Sequence, residues 1–189
     1  ATDPALRRVG QRLLDAYPRQ APNRPDINAR ALNTNAPQSI DTDNGGVRLD
    51  QTRHDRDRFT LRYLFTGQIV DAFQLIAGQN PDTMTKGHTG RLTWSRTWSA
   101  ETVTDFSLGY DRVASLLVPE PNTPGPAVTF GGVLTELGPG SSIPINRIQN
   151  LFRYAGQLRQ VRGAHALTAG FELGRRQING AESSSHRGT

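Results

Sequence analysis

The chain has 189 residues, no cysteine, and 22 Lys+Arg against 17 Asp+Glu, for a net charge of +5. The lack of cysteine excludes disulfides, thiolate metal sites and thiol nucleophiles, and no run reaches the ~18 apolar residues of a membrane-spanning helix, which leaves strands as the only way across a bilayer. The basic residues are scattered among acidic ones and form no stripe, so nucleic acid is not an expected partner.

In chain order, residues 3–17 (DPALRRVGQRLLDAY) predict a short helix: Asp3 caps, Pro4 suits the first turn, and Leu6, Val9, Leu13 and Leu14 share one side. The helix should end at Tyr17-Pro18. From there to about Gly46 the text is rich in Pro, Asn and Asp without a period, and it reads as an extended loop.

Beyond Gly46 the period becomes two. Val47 and Leu49 oppose Arg48 and Asp50; Phe59, Leu61, Tyr63 and Phe65 oppose Thr60, Arg62 and Thr66. Leu92, Trp94 and Trp98 oppose Thr93, Ser95 and Thr97; Phe106, Leu108 and Tyr110 oppose Asp105 and Ser107. Phe152, Tyr154 and Leu158 oppose Arg153 and Gln157, and Leu167, Phe171 and Leu173 oppose Thr168 and Glu172.

Alternation alone also fits a half-buried soluble sheet. Length separates the two: soluble strands run about 5–6 residues, whereas a tilted strand crossing a bilayer needs about 9–11, and several of these runs continue that far. The connections alternate as well. They are short at 54–58, 99–101 and 162–165, and long at about 70–87 and 114–149, the asymmetry of an outer-membrane barrel.

The expected fold is therefore all-β, with antiparallel up-and-down strands forming part of a transmembrane β-barrel, a short N-terminal helix and long loops. Residues 1–45 form the helix and an irregular extracellular-type loop, 46–180 six barrel strands in three hairpins, and 181–189 a tail. The apolar rows named above are expected to face outer-membrane lipid, and Arg62, Asp105, Arg153 and Glu172 to face the lumen or a ligand. Arg96 disagrees, because it falls on the Trp94 and Trp98 side; its length would carry the guanidinium to the head-group level. The alternative architecture is a secreted β-sandwich that binds glycan or protein through its long loops.

No catalytic site, metal site or cofactor is expected. His54, His88, His165 and His186 show no ligand spacing. DTDNGG (41–46) starts like a calcium loop, but Gly45 and Thr52 stand where ligands are wanted, so a turn leading into a strand is expected. GPGSSIP (138–144) has no Lys after its glycines and reads as an exposed loop. Asp55 and Asp57 alternate with arginines, as a solvated turn would.

Three stretches carry a family likeness. VRLDQTRHDRDRFTLRYLF (47–65) contains Asp57-Arg58 before an aromatic and Arg62-Tyr63; LTWSRTWSAETVTDFSLGYDR (92–112) ends in Gly109-Tyr110-x-Arg112; NLFRYAGQLRQVRGAHALTAGFELGRRQ (150–177) has an Arg-Gly-x-His turn and ends in Arg175-Arg176-Gln177. Together they resemble the strand–turn–strand units of TonB-dependent outer-membrane receptors, in particular the Oar-like group. Even DPALRRVGQRLLDAYP resembles a short helix that such proteins place in a loop between early strands. The resemblance implies ligand uptake across the bacterial outer membrane without catalysis. It also implies a plug domain and further barrel strands in the parent chain, and a TonB energising complex as partner. The chain opens on Ala1 with no secretion signal and stops just after a strand-like run, so it is expected to be a piece of a longer polypeptide.

Overall fold

The computed structural model describes residues 3–76, 78–121, 126–131 and 134–184. Helix α1 (Pro4–Leu14) starts where Asp3 accepts the Ala5 amide at 2.8 Å and proline occupies the first turn. None of its residues is buried.

Six strands follow: β1 (Ser39–Arg53), β2 (Asp57–Asp71), β3 (Asp82–Ser99), β4 (Thr102–Val118), β5 (Ile145–Arg162) and β6 (His165–Glu182). They pair antiparallel in sequence order, β1-β2-β3-β4-β5-β6, as one up-and-down sheet. Tight turns of two or three residues join β1 to β2, β3 to β4 and β5 to β6. His54 and Asp55 adopt φ of 52° and 53°, and Gly163 of 59°, to make two of these reversals.

The long connections are shorter than the sequence predicts. They span 72–81 and 119–144, not 70–87 and 114–149, and β1 begins at Ser39, inside the stretch expected to be loop. The reason is the same in each place. In Thr83–His88 and Asp41–Gly46 the side chains stop alternating apolar with polar, yet the backbone goes on pairing: Lys86 lies opposite Gly67 and Ala114, and Asp43 opposite Gly67. Ladder hydrogen bonds do not require apolar side chains once a strand has left the hydrocarbon.

No second sheet packs on either face among the described residues, so the sandwich is not the architecture. Among the described residues the buried apolar side chains are Ile76, Leu137 and Ile143, all in the two long loops. Leu167, Phe171 and Leu173 remain 59%, 54% and 62% exposed, which no soluble sheet of this size tolerates. The fold keeps its compact core at the long-loop end. There the Tyr17 hydroxyl donates to the Thr135 carbonyl, Tyr17 meets Phe130 edge-on at 6.2 Å, and Val128 bridges Leu137. No helix is long and apolar enough to cross a membrane among the described residues.

Candidate functional site

Residues directly opposite in a ladder project to the same side, so the register sorts every strand position onto one of two faces. One face carries the cross-strand rows Phe59–Trp94–Phe106–Gly156–Phe171, Leu49–Leu61–Leu92–Leu108–Tyr154–Leu173 and Val47–Tyr63–Gly90–Tyr110–Phe152. Phe65, Leu158 and Leu167 extend it. Trp98 joins it through its indole N–H, which donates to Thr104 at 3.0 Å. Every residue expected from the sequence to face lipid thus lies on one continuous surface. On β2 it runs from Phe59 to Phe65, roughly 20 Å along the strand.

Polar partners mark both limits of this band. Toward the short turns, the Trp94 indole donates to Asp57 at 2.9 Å. Toward the long loops, the Tyr63 hydroxyl meets His88 Nδ1 at 2.7 Å, and the Tyr110 hydroxyl donates to Asn150 at 2.9 Å, which Arg112 also contacts at 3.0 Å. Amphipathic rings with their polar tips satisfied at two levels are interfacial girdles. Beyond the upper girdle the same face is mixed: Lys86, Arg112, Gln177 and Asn179 stand there with the apolar row Ile69–Met84–Leu116, and Arg175 lies level with Phe152.

Arg96 is resolved by its neighbours. It stands opposite Asp57 and Thr104 on the apolar face, 3.6 Å from the Asp57 carboxylate and with its guanidinium 4.2 Å over the Trp98 ring. Asp57 thus serves both Trp94 and Arg96, and the charge sits beside the short turn rather than at mid-depth.

The opposite face is polar and cross-linked. Arg48 grips Asp50 at 2.6 and 3.0 Å, with Thr60 donating to the same carboxylate at 2.7 Å. Arg91 binds Asp111 at 3.0 Å, and Thr89 donates to it at 3.0 Å. Asp105 accepts Ser95 at 2.6 Å and Arg159 at 3.1 Å. The four residues expected to face a lumen all lie here: Asp105 opposite Ser95 and Gln157, Arg62 between Arg48 and Arg91, Arg153 between Gly109 and Gly174, and Glu172 opposite Ala155. They do not converge on one point. Asp105 is held by its own network, whereas the arginines belong to a row that sequence reading missed, because only the register aligns positions 48, 62, 91 and 153.

The remaining candidates disperse. DTDNGG is part of β1, where extended backbone sends successive side chains to opposite faces and cannot wrap a cation. His54 sits in a turn, His88 contacts Tyr63, His165 opens β6, and His186 lies outside the described residues. At the long-loop end Asp71, Asp82 and Glu120 bring carboxylate oxygens within 4.8 Å of one another. Asp82 accepts the Ala72 amide at 3.0 Å and Glu120 the Gln74 amide at 3.3 Å. Burial, and then the charges of Asp82 and Asp71, push the Glu120 carboxyl above the ordinary glutamate range.

A girdled apolar band on one face and a charged network on the other is the cross-section of a barrel wall in a membrane. The outer membrane beta barrel domain family matches the chain over residues 2–189. The chain belongs to that family. Its place is accordingly the bacterial outer membrane, and this outer-membrane barrel domain has its short turns on the side that such barrels direct to the periplasm. No curated protein and no solved structure matches the chain.

Proposed function

We propose that the chain is a six-strand portion of the barrel of a TonB-dependent receptor of the Oar-like group, taking up a ligand across the outer membrane. The apolar face meets lipid, and the face with Arg62, Asp105, Arg153 and Glu172 lines the lumen. One observation supports the reading above the others. Each of the three resembling stretches spans a strand, a short turn and its partner strand, with Asp57-Arg58, Ser95–Trp98 and Arg162–His165 at the short-turn end.

Six strands cannot close a barrel, since the smallest have about eight. β1 and β6 each leave one edge unpaired, and hydrocarbon offers those backbone groups no partner. Further strands of the parent chain complete the wall, a plug gates it, and the TonB complex supplies the energy. The test is retention of the complete detergent-solubilised protein on the immobilised periplasmic domain of TonB. Specific retention supports the receptor reading, and a protein that washes through refutes it.

A further inference from the structure

The polar face holds an arrangement that the uptake reading does not use. Arg48 lies directly opposite Arg62, Arg62 opposite Arg91, and the same row continues through Gly109 to Arg153 and Gly174. Four arginines from four strands therefore stand in one line, spanning about 19 Å from β1 to β5 at ~4.8 Å per strand. Like charges set directly opposite repel. The sheet neutralises only half of the row: Arg48 is held by Asp50 and Arg91 by Asp111.

Arg62 and Arg153 are exposed, and among the described residues neither makes a salt bridge or a side-chain hydrogen bond. Glu172, two residues along β6 from the Gly174 opposite Arg153, stays outside ion-pair range of it. The two glycines of the row play different parts, Gly109 making room for the Arg91 guanidinium and Gly174 leaving open space. A Cβ on Gly109 would come within 2.6 Å of Arg91 Nη1, and nothing lies within 4 Å of one on Gly174. The Arg91 guanidinium thus reaches across Gly109 toward Arg153, which narrows the roughly 10 Å between their two strands.

The row lies at the depth of the apolar band, because Arg62 sits between Leu61 and Tyr63 on β2. With strands tilted about 40° in a closed barrel, a line at right angles to them climbs about 12 Å along the axis instead of ringing it. A solute moving through the lumen meets the guanidiniums one after another.

We propose that this row recognises an anionic solute bearing phosphate or carboxylate groups on its way through the lumen. The planar fork of each free guanidinium offers paired N–H donors matched to such groups, and arginines lining a pore select anions. The inference rests on the polar face being the lumen wall, as the uptake reading has it.

The test uses the complete barrel protein purified in detergent, with sodium tripolyphosphate as the probe and calorimetry at constant ionic strength. Arg62→Gln with Arg153→Gln is expected to weaken binding by about tenfold or more. Arg62→Lys with Arg153→Lys should fall between, since charge is kept and the fork lost. Arg175→Gln, beside Phe152 on the opposite face, should bind as the unmodified protein does. Heat-modified gel mobility checks folding, and either single Gln variant serves if the double does not assemble. Equal affinity across the variants overturns the proposal. So does absence of binding by the unmodified protein, the result expected if an acidic segment of polypeptide already covers the row. The measurement needs neither TonB nor an energised membrane. A barrel that binds the probe through this row but ignores TonB would refute the receptor reading alone.

Discussion

Asp57 shows how one side chain reconciles a charge with an apolar surface. Its carboxylate accepts the Trp94 indole and pairs with Arg96 Nη1 at 3.6 Å, while the buried Arg96 Nε has no hydrogen-bond partner among the described residues. Removing Asp57 leaves a guanidinium beside hydrocarbon with only the Trp98 ring for company. Asp57→Ala should therefore lower the stability of the complete barrel by about 1–3 kcal/mol, measured by urea unfolding in lipid vesicles with tryptophan fluorescence. Asp57→Asn combined with Arg96→Met should recover most of the loss, because a half-buried pair exchanged for an uncharged one removes both desolvation costs. An Asp57→Ala protein as stable as its parent would show that Arg96 reaches water unaided. In the sequence, Arg96 stands out as a charge on the wrong side; its partner is hidden, since Asp57 is 39 positions away and only the β2–β3 register brings them level.

At the level of the strand, the two faces make opposite demands on substitution. Phe171 projects from the apolar side of β6 and its ring lies over Gly156, where a Cβ would come within 2.5 Å. Phe171→Arg places a charge in the band at a cost of about 2–4 kcal/mol and should reduce outer-membrane yield of the complete protein. Thr168→Arg projects to the other face, opposite Arg159, where repulsion costs roughly 0.2–1 kcal/mol, and its yield should stay near that of the parent. Equal yields would mean the faces are exchanged. This two-sidedness was legible in the residues themselves, because alternation over ten or more positions marks a strand and its buried side together. The strand ends were not. Around Thr85-Lys86-Gly87-His88 the outward positions become polar, so the periodic signal fades while the backbone ladder continues. The arginine row was illegible for a different reason: which positions stand opposite depends on turn lengths and pairing offsets that no single strand records.

For the molecule as a whole, the sheet is an open wall whose packed core lies at one end, in the loops. Glu120 sits there against Asp71 and Asp82, its carboxyl raised above the ordinary glutamate value by burial and by those charges. A carboxylate raised in the folded state favours folding fully below its ordinary value, and that contribution disappears as pH climbs through the raised one. At neutral pH the ionised Glu120 thus works against the loop packing, and Glu120→Gln should make the 119–144 loop more resistant to limited proteolysis. The difference should vanish below the ordinary glutamate range, where both side chains are uncharged; a difference that persists there would assign the effect to shape instead of charge. The strands, at 15 to 18 residues, exceed the ~9–11 that a bilayer requires, and the surplus carries hydrophilic outward positions such as Lys86 and Gln177. In the orientation proposed, that surplus forms a stiff collar rising about 15–20 Å above the hydrocarbon. The mouth of the barrel is thereby lifted clear of the lipid surface, so that on the uptake reading a ligand meets hydrogen-bonded scaffold before the guanidiniums below.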